Sequence, residues 1–328
     1  IIHTSDWHIG KIVNDFSMLE DQAYFLRQLI DYLKQQKADA LIVAGDIYDR
    51  SIPPAEAVSL VNDTLVEIIG GLHIPVILIA GNHDSPQRLS FAHTLLEQSG
   101  LYICGEVRRP PVKISIQDQY GPVNFYLLPY FQLHDIKRLF PEENPATINE
   151  AFVLLKQEIE QNFQENERNV LVSHGFFSAQ DEQLVFSIGP DLSAGGSELI
   201  SSDLFYRFDY TALGHIHRAQ TIGTNNAIYS GSPLKYSIDE STHQKTVTCV
   251  VMEKKGKIKI TQDKIPCLRD LRIVSGTFEQ LLRRNRPENG NLNDYVFAQL
   301  EESHPIIDAI SKLRAVFPNI MGLMYAKA

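Results

Sequence analysis

The sequence predicts an α/β fold with a largely covered sheet, followed by a small α+β unit at the carboxy-terminal end. Three observations carry that prediction. Short apolar runs alternate with helical patterns over the first 235 residues. Five segments end an apolar run in a short polar loop rich in Asp, Asn or His rather than in an ordinary turn. After Ile265 the pattern changes to a compact strand-helix-strand-helix succession.

The runs "ALIVAGD" (Ala40–Asp46), "PVILIAGN" (Pro75–Asn82), "NFYLLPY" (Asn124–Tyr130), "NVLVSHG" (Asn169–Gly175) and "YTALGHIH" (Tyr210–His217) are too short for helices. They are also too uniformly apolar for half-exposed strands, so they are read as strands buried on both faces. Between them Phe25, Leu26, Leu29, Ile30 and Leu33 recur at helical spacing, as do Val58, Val61, Leu65, Ile68 and Ile69, and later Phe152, Leu155 and Ile159. The apolar stripes near residues 55–70 and 88–99 are read as core. From "IPCLRDLRIVSG" (Ile265–Gly276) onward the sequence predicts a strand, a helix from about Thr277, and a Pro/Asn/Gly loop (Asn285–Asp294). A strand (Tyr295–Leu300) and a helix (Ile306–Phe317) follow. The division expected is therefore 1–265 for the larger domain and 266–328 for the smaller.

Composition narrows the class. Hydrophobic residues at 44% and charged residues at 21% suit a soluble globular chain. The longest charge-free apolar stretch, Ile68–Gly81, contains Pro75 and is too short to span a bilayer. No secretory signal pattern opens the sequence, and Cys104, Cys249 and Cys267 form no CxxC pair, so reduced thiols and a cytoplasmic location are expected. The net charge of −10 argues against a polyanion partner until its distribution is considered. Lys254–Arg286 holds ten Lys/Arg against three Asp/Glu, a basic band on an acidic body. Solvated strand and helix faces are the plain alternative for each of those residues.

The chemistry lies in the five polar loops: "TSDWHIG" (Asp6, His8), "AGDIYD" (Asp46, Asp49), "AGNHD" (Asn82, His83, Asp84), "VSHG" (His174) and "LGHIH" (His215, His217). In open α/β sheets ligands bind at the carboxyl ends of strands, so these loops should converge in one crevice. D-x-H and H-x-H spacing puts both members of a pair on one side of an extended segment. Asp6, His8, Asp46, Asn82, His174, His215 and His217 supply two carboxylates, four imidazoles and an amide. That set is too large for one tetrahedral ion and suited to two, and without thiolate it favours Mn²⁺, Fe or Zn. Paired ions of this kind serve phosphoester hydrolysis. His3, His73, His93, His134, His243 and His304 stand outside these loops and are read as structural.

The order D-x-H, GD, GNHD, H, GHxH resembles the calcineurin-like metallophosphoesterase superfamily. "HTSDWHIGK", "AGDIYDRSIPP", "GNHDSPQRL" and "LGHIHRAQ…YSGSPLKYS" resemble its bacterial SbcD branch of nuclease subunits. The resemblance covers residues 1 to about 240, with weaker motifs beyond. It implies a four-layer α/β/β/α sandwich with a small α+β capping domain. It further implies one ion on Asp6, His8 and His217, a second on Asn82, His174 and His215, and Asp46 as the bridge. His83 would then face the scissile phosphate and assist the leaving 3′-oxygen. Where some relatives carry histidine, this chain has Asp49, which is expected to hydrogen-bond His83 and favour its protonated form. A solvated turn residue is the alternative there, and Asp84 is read as supporting the loop.

By that resemblance the chain is expected to be a two-metal DNA phosphodiesterase. The implied activities are a Mn²⁺-dependent 3′→5′ exonuclease on duplex DNA and an endonuclease on single strands and hairpins, with Mg²⁺ serving in part. The implied partners are the SMC-like ATPase SbcC and a second copy of the chain, in DNA repair, recombination and replication. Lys254, Lys255, Arg283, Arg284 and Arg286 are the candidate phosphate contacts. A phosphatase or small-phosphodiester hydrolase of the same superfamily is the enzymatic alternative, since "GDIYDR" also fits a phosphatase pattern. A DNA-end-binding scaffold without chemistry would have lost Asp46 or His83, and neither is lost.

Overall fold

The computed structural model describes residues 1–178, 199–223, 226–283 and 287–325. Strand β1 (Ile2–Thr4) leads through a short hairpin, β2 (Ile12–Val13) and β3 (Phe16–Ser17), into helix α1 (Leu19–Gln36). Then come β4 (Leu41–Ala44), α2 (Ala55–Val66), β5 (Val76–Ile79), the short helices α3 (Pro86–Leu89) and α4 (His93–Leu96), and β6 (Leu101–Cys104). A second run follows: β7 (Val112–Asp118), β8 (Gly121–Leu128), α5 (Leu133–Leu139), α6 (Ile148–Glu160) and β9 (Arg168–His174). It continues through a small pair, β10 (Phe177–Ser178) and β11 (Ile200–Ser201), to β12 (Tyr210–Gly214), β13 (Gln220–Ile222) and β14 (Ala227–Tyr229). The hairpin β15 (Thr246–Met252) and β16 (Ile258–Lys264) then returns to the first sheet.

Among the described residues two six-stranded sheets result, ordered β16-β15-β1-β4-β5-β6 and β13-β14-β12-β9-β8-β7. In each, four consecutive strands are parallel and the remaining ones pair antiparallel: β15 and β16 in the first sheet, β7 and β13 in the second. Apolar cores separate four layers. Phe25, Leu29 and Leu33 of α1 with Val61 of α2 cover the outer face of the first sheet. Phe152, Leu155 and Ile159 of α6 cover the second. Between the sheets Ile42, Ile77 and Ile79 meet Phe125, Val170 and Ala212. This is the expected α/β/β/α sandwich, and double coverage explains why β4 and β5 are apolar at every position. A polar contact crosses the inner core: His3 of β1 shares a 2.7 Å hydrogen bond with the Tyr210 hydroxyl of β12.

The carboxy-terminal unit contains more strand and less helix than expected. Strands β17 (Leu271–Gly276), β18 (Tyr295–Leu300) and β19 (Ile320–Tyr325) form a parallel sheet, with α7 (Phe278–Leu281) and α8 (Ala309–Leu313) packed on it. The helix expected over Ile306–Phe317 is reduced to five residues, because Asp308 takes a left-handed backbone (φ 55°) that no right-handed helix can continue through. Strand β19 has no counterpart among the expected elements. The unit is tied to the first layer: buried Asp21 of α1 accepts hydrogen bonds from Arg269 Nη1 and Tyr295 Oη, each 2.7 Å. Leu271, Tyr295, Phe297 and Met321 join the core beneath α1.

A second departure concerns the stripes at 55–70 and 88–99. Val61 and Ile68 are buried, but Val58, Val66, Phe91 (81% exposed) and Leu95 (70%) face outward. Only one face of α2 reaches the sheet, and the 88–99 stretch is broken into single turns that pack Leu89 and Leu96 on the core and leave Phe91 and Leu95 outside.

Candidate metal centre

All five motif loops leave carboxyl ends of parallel strands: β1, β4 and β5 from one sheet, β9 and β12 from the other. The two sheet edges meet closely enough for the His174 Nδ1–H to donate to the Ala44 carbonyl at 2.8 Å. Glycine is required at this seam. A Cβ on Gly214 would lie 1.9 Å from the Ala44 carbonyl oxygen, and one on Gly81 would lie 2.1 Å from Asp46 Oδ1. The same-side placement of Asp6 and His8 has a different cause from the extended spacing expected. Neither residue is extended: Asp6 (φ 53°), His8 (46°), Asp46 (52°) and His215 (105°) take left-handed backbone, a costly conformation that clusters at functional sites.

The structure gathers the expected ligands into two separate clusters, linked by a third group made of His8, Asp46 and His83. One atom each from Asp6, His8 and His217 lies within 4.8 Å of the others, and the same holds for Asp46, His174 and His215. Asp46 Oδ2 stands between the clusters, 3.6 Å from His8 Nε2 and 3.5 Å from His174 Nε2. Asn82 Oδ1 joins the second cluster, 2.9 Å from His215 Nδ1 and 3.1 Å from His174 Nε2. His8 Nε2 and His217 Nε2 face each other at 3.0 Å. Imidazole nitrogens turned toward one another beside buried carboxylate oxygens, with no thiolate, make a donor set that fits two divalent cations.

Neighbours outside these clusters fix which nitrogen faces inward. The Ala44 carbonyl holds Nδ1 of His174, and Glu240 Oε1 holds Nδ1 of His217 at 2.9 Å, leaving both Nε2 atoms for the centre. Glu240 is buried and also accepts from Lys245. Burial alone would raise its carboxyl, but the positive charges of Lys245 and His217 hold it well below the usual range. Gln22 of α1 pins the first loop by donating to the His8 carbonyl at 2.8 Å and accepting from Gly10 N–H at 2.9 Å. Glu240 and Gln22 carry no motif signal; the fold brings them in from 23 and 14 residues away.

Electrostatics sharpen the roles within the centre. Burial pushes toward a neutral Asp46, but the charge and hydrogen bond of His174, with His8 behind them, hold its carboxyl well below the usual range. Burial would likewise lower His174, yet the Asp46 carboxylate raises it to about 9. His215 is driven down to about 3 by burial and by the charge of His174. Asp84 is raised to about 7 by burial and the Asp46 charge. Its oxygens cap two loops at once, accepting from Ile47 N–H (3.1 Å), Tyr48 N–H (3.0 Å) and Gly81 N–H (2.9 Å).

His83 offers an atom within 4.8 Å of one each from His8 and Asp46, its main-chain N–H donating to Asp46 Oδ1 at 2.9 Å and its ring 4.7 Å from and perpendicular to that of His8. The expected Asp49–His83 pairing takes another form. His83 Nδ1 bonds the main-chain carbonyl of Asp49 at 2.9 Å. The Asp49 carboxylate turns instead to the Lys11 ammonium at 2.6 Å and stands 3.7 Å from His8 Nδ1. A full positive charge within reach outcompetes a histidine for the carboxylate.

Among the described residues, the Lys254–Lys255 part of the basic band lies away from the centre. Lys254 and Lys255 occupy the β15–β16 turn, where Lys255 donates to Asp209 Oδ2 (2.7 Å) and the Glu167 carbonyl (2.8 Å). Asp209 and Glu167 precede β12 and β9, so this turn lies at the amino ends of the strands, opposite the centre. β15 runs antiparallel to β1 and carries the turn away. Arg283 is exposed just past α7, and Arg284 and Arg286 lie outside the described residues.

The chain resembles known proteins. Residues 1–219 match the family model described as Calcineurin-like phosphoesterase. Residues 267–327 match one described as Type 5 capsule protein repressor C-terminal domain. The chain is 31% identical over 325 residues to the SbcD component of the nuclease SbcCD from Staphylococcus epidermidis, covering 98% of this chain and 84% of that protein. It is likewise 31% identical over 329 residues to the SbcD component of the same nuclease from Staphylococcus saprophyticus, with the same coverage. Similar solved structures include a phosphopantetheinyl hydrolase from Mycobacterium tuberculosis (15% identity, 70% of this chain and 88% of that one, TM-score 0.37). Another is a dimetal phosphatase from Danio rerio (13% identity, 81% and 98%, TM-score 0.44).

Proposed function

We infer the reaction from one premise: the chain belongs to the calcineurin-like phosphoesterase family, in its SbcD-type nuclease branch, and is a metal-dependent phosphodiester hydrolase. The finer reading is our proposal. The chain is a Mn²⁺-dependent 3′→5′ exonuclease on duplex DNA and an endonuclease on single strands and hairpins, with Mg²⁺ serving in part. It works in the cytoplasm with the SbcC ATPase, as a homodimer, in repair, recombination and replication. Residues 1–265 are the nuclease domain and 266–328 the capping domain. What supports two cations rather than one is the placement of Asp46 Oδ2 between two complete donor clusters. No helix among the described residues is long and apolar enough to cross a membrane.

On this reading Asp6, His8 and His217 would hold one cation, Asn82, His174 and His215 the other, and Asp46 would serve both. When bound, the pair supplies Lewis-acid stabilisation of the phosphate and an acidified water. The chain's own residues do the rest. The Ala44 carbonyl and Glu240 keep His174 and His217 turned inward, and the buried positions of Asp6, His8, Asp46 and His174 keep bulk water from those ligands. With Nδ1 tied to the Asp49 carbonyl, His83 acts on the leaving 3′-oxygen through Nε2. From there it supplies the proton that a leaving alkoxide needs.

The test is a Mn²⁺ and Mg²⁺ titration of degradation on end-labelled hairpin and blunt duplex DNA, alongside His83→Ala. Mn²⁺ should support the faster rate. His83→Ala should lose about 10²–10⁴-fold in rate while binding metal as the parent does. A rate on DNA no higher than on a small chromogenic phosphodiester would favour the phosphatase-like alternative.

A further inference from the structure

His217 is an expected ligand with little main chain to hold it. His174 ends β9 in register with Gly214, and its ring bonds the Ala44 carbonyl. His217 lies beyond Gly214, where β12 stops, and so outside the ladder that β12 makes with its neighbours. What fastens it instead is a buried lysine. Lys245 stands just before β15, and its side chain is 11% exposed.

An ammonium carries three N–H donors, and each of those on Lys245 meets an acceptor. They are the His217 carbonyl at 3.0 Å, the Ser232 hydroxyl at 2.7 Å and a carboxylate oxygen of Glu240. The other Glu240 oxygen takes Nδ1 of His217 at 2.9 Å. Lys245 therefore reaches one ligand twice, at its main chain directly and at its ring through Glu240. The acceptors are themselves fixed. Ser232 is fully buried, donates its N–H to the same His217 carbonyl at 3.1 Å, and donates its hydroxyl to the Leu234 carbonyl at 2.8 Å. The main chain of Gly231 packs so closely there that a Cβ would lie 2.7 Å from the His217 carbonyl oxygen. Glu240 is 2% exposed, at the end of a single turn (Ile238–Glu240). A carboxylate that deep needs a cation beside it, since removing one partner of a buried pair leaves an uncompensated charge. A lysine serving the fold alone could use any carboxylate, whereas this one shares its carboxylate with a histidine of the centre.

We propose that Lys245 is a positioning residue of the metal centre. It locks Glu240 and the His217 main chain together, so that Nε2 of His217 stays aimed at the cation it shares with Asp6 and His8. The inference deepens the two-cation reading and rests on it. The action of Lys245 runs through His217 and Glu240, so its loss falls on one cation and spares the one assigned to Asn82, His174 and His215.

A Mn²⁺ titration of the full chain followed by electron paramagnetic resonance tests it, because that signal counts free ion and separates a coupled pair from an isolated ion. The parent should bind two ions as a coupled pair. Lys245→Met should hold one ion as the parent does and bind the other about tenfold more weakly, the lower range for losing an outer partner of a ligand. At loadings that fill the parent it should therefore show isolated ion. Lys245→Arg, which keeps a cation beside Glu240, should recover most of the affinity. In the Glu240→Gln background Lys245→Met should cost little more, since both act on one ring. If thermal unfolding of metal-free Lys245→Met is not cooperative, Lys245→Gln takes its place with the same result expected. Two ions bound as tightly in the variant as in the parent overturn the proposal. So does an equal weakening of both ions, or a full further loss in the Glu240→Gln background. A parent that binds a single ion overturns the two-cation reading instead. The positioning role then stands if Lys245→Met weakens that ion and arginine restores it, and falls otherwise.

Discussion

Two carboxylates outside the ligand set reach the histidines of the centre from behind. Glu240 bonds Nδ1 of His217 at 2.9 Å, and Asp49 faces Nδ1 of His8 at 3.7 Å while paired with Lys11. Carboxylates in such positions fix ring orientation and raise ligand basicity, and losing one typically costs ~10–100-fold in metal affinity. Glu240→Gln should therefore weaken Mn²⁺ binding about tenfold or more by calorimetry. Asp49→Asn should do so less, because its contact with His8 is longer. Asp49→Asn should also keep most of the rate that His83→Ala loses, because the main-chain carbonyl of residue 49 that bonds His83 Nδ1 is kept by asparagine. A loss in Asp49→Asn as large as that in His83→Ala would mean that the carboxylate acts on His83 after all. The residues legible in the sequence are those within a few positions of a strand end, where composition and spacing speak directly. Glu240 and Gln22 are silent there because their partners are distant in the chain and their type is ordinary.

At the scale of elements the parallel strands β4, β5, β8, β9 and β12 are legible, since coverage on both faces leaves an uninterrupted apolar run. The equally buried β1 and β14, with β6 and the carboxy-terminal β19, are not among the expected strands, and α8 is shorter than expected. Strand packing also has a pH consequence. His3 of β1 is fully buried between the sheets, its side chain bonds the Tyr210 hydroxyl, and burial lowers it to about 3. The unfolded chain takes up that proton near pH 6.5, whereas the folded chain does not until about pH 3. Between those values the unfolded state binds more protons. Stability is therefore full above about 6.5 and falls as pH drops toward 3, by up to ~1.4 kcal/mol per pH unit from this residue. Urea unfolding at about pH 7.5 and about pH 5.5 should show that loss in the parent. His3→Leu should start from lower stability, having lost the Tyr210 bond, yet lose less between the two pH values. An identical pH loss in both would assign the acid sensitivity elsewhere.

For the whole molecule, the apolar residues that do not pack inward point to assembly. Val58 and Val66 of α2 and Phe91 and Leu95 around α3 and α4 face solvent together, around a cavity of about 630 Å³ that Val58, Val66 and Phe91 line. Monomeric proteins seldom expose so many large apolar side chains on one face. This exposed apolar face supports the proposed homodimer, and it is adjacent to the chemistry: Tyr48 and Ser85, which also line the cavity, lie in the same loops after β4 and β5 as Asp49 and His83. A second copy on this face would bury the apolar stripes that helical periodicity assigns to the core of one chain. Periodicity reports that a face is to be covered and is blind to which chain covers it. Phe91→Glu places a charge where the partner would have to desolvate it, and its side chain is 81% exposed, so the fold itself has little to lose. Light scattering at micromolar concentration should give a dimer for the parent and a monomer for Phe91→Glu, with thermal unfolding of the variant monomer remaining cooperative. A parent that is monomeric, or a variant that still dimerises, would remove this face from the assembly. Because the loops of Asp49 and His83 border the interface, the monomeric variant should also raise KM for duplex DNA more than for a small phosphodiester.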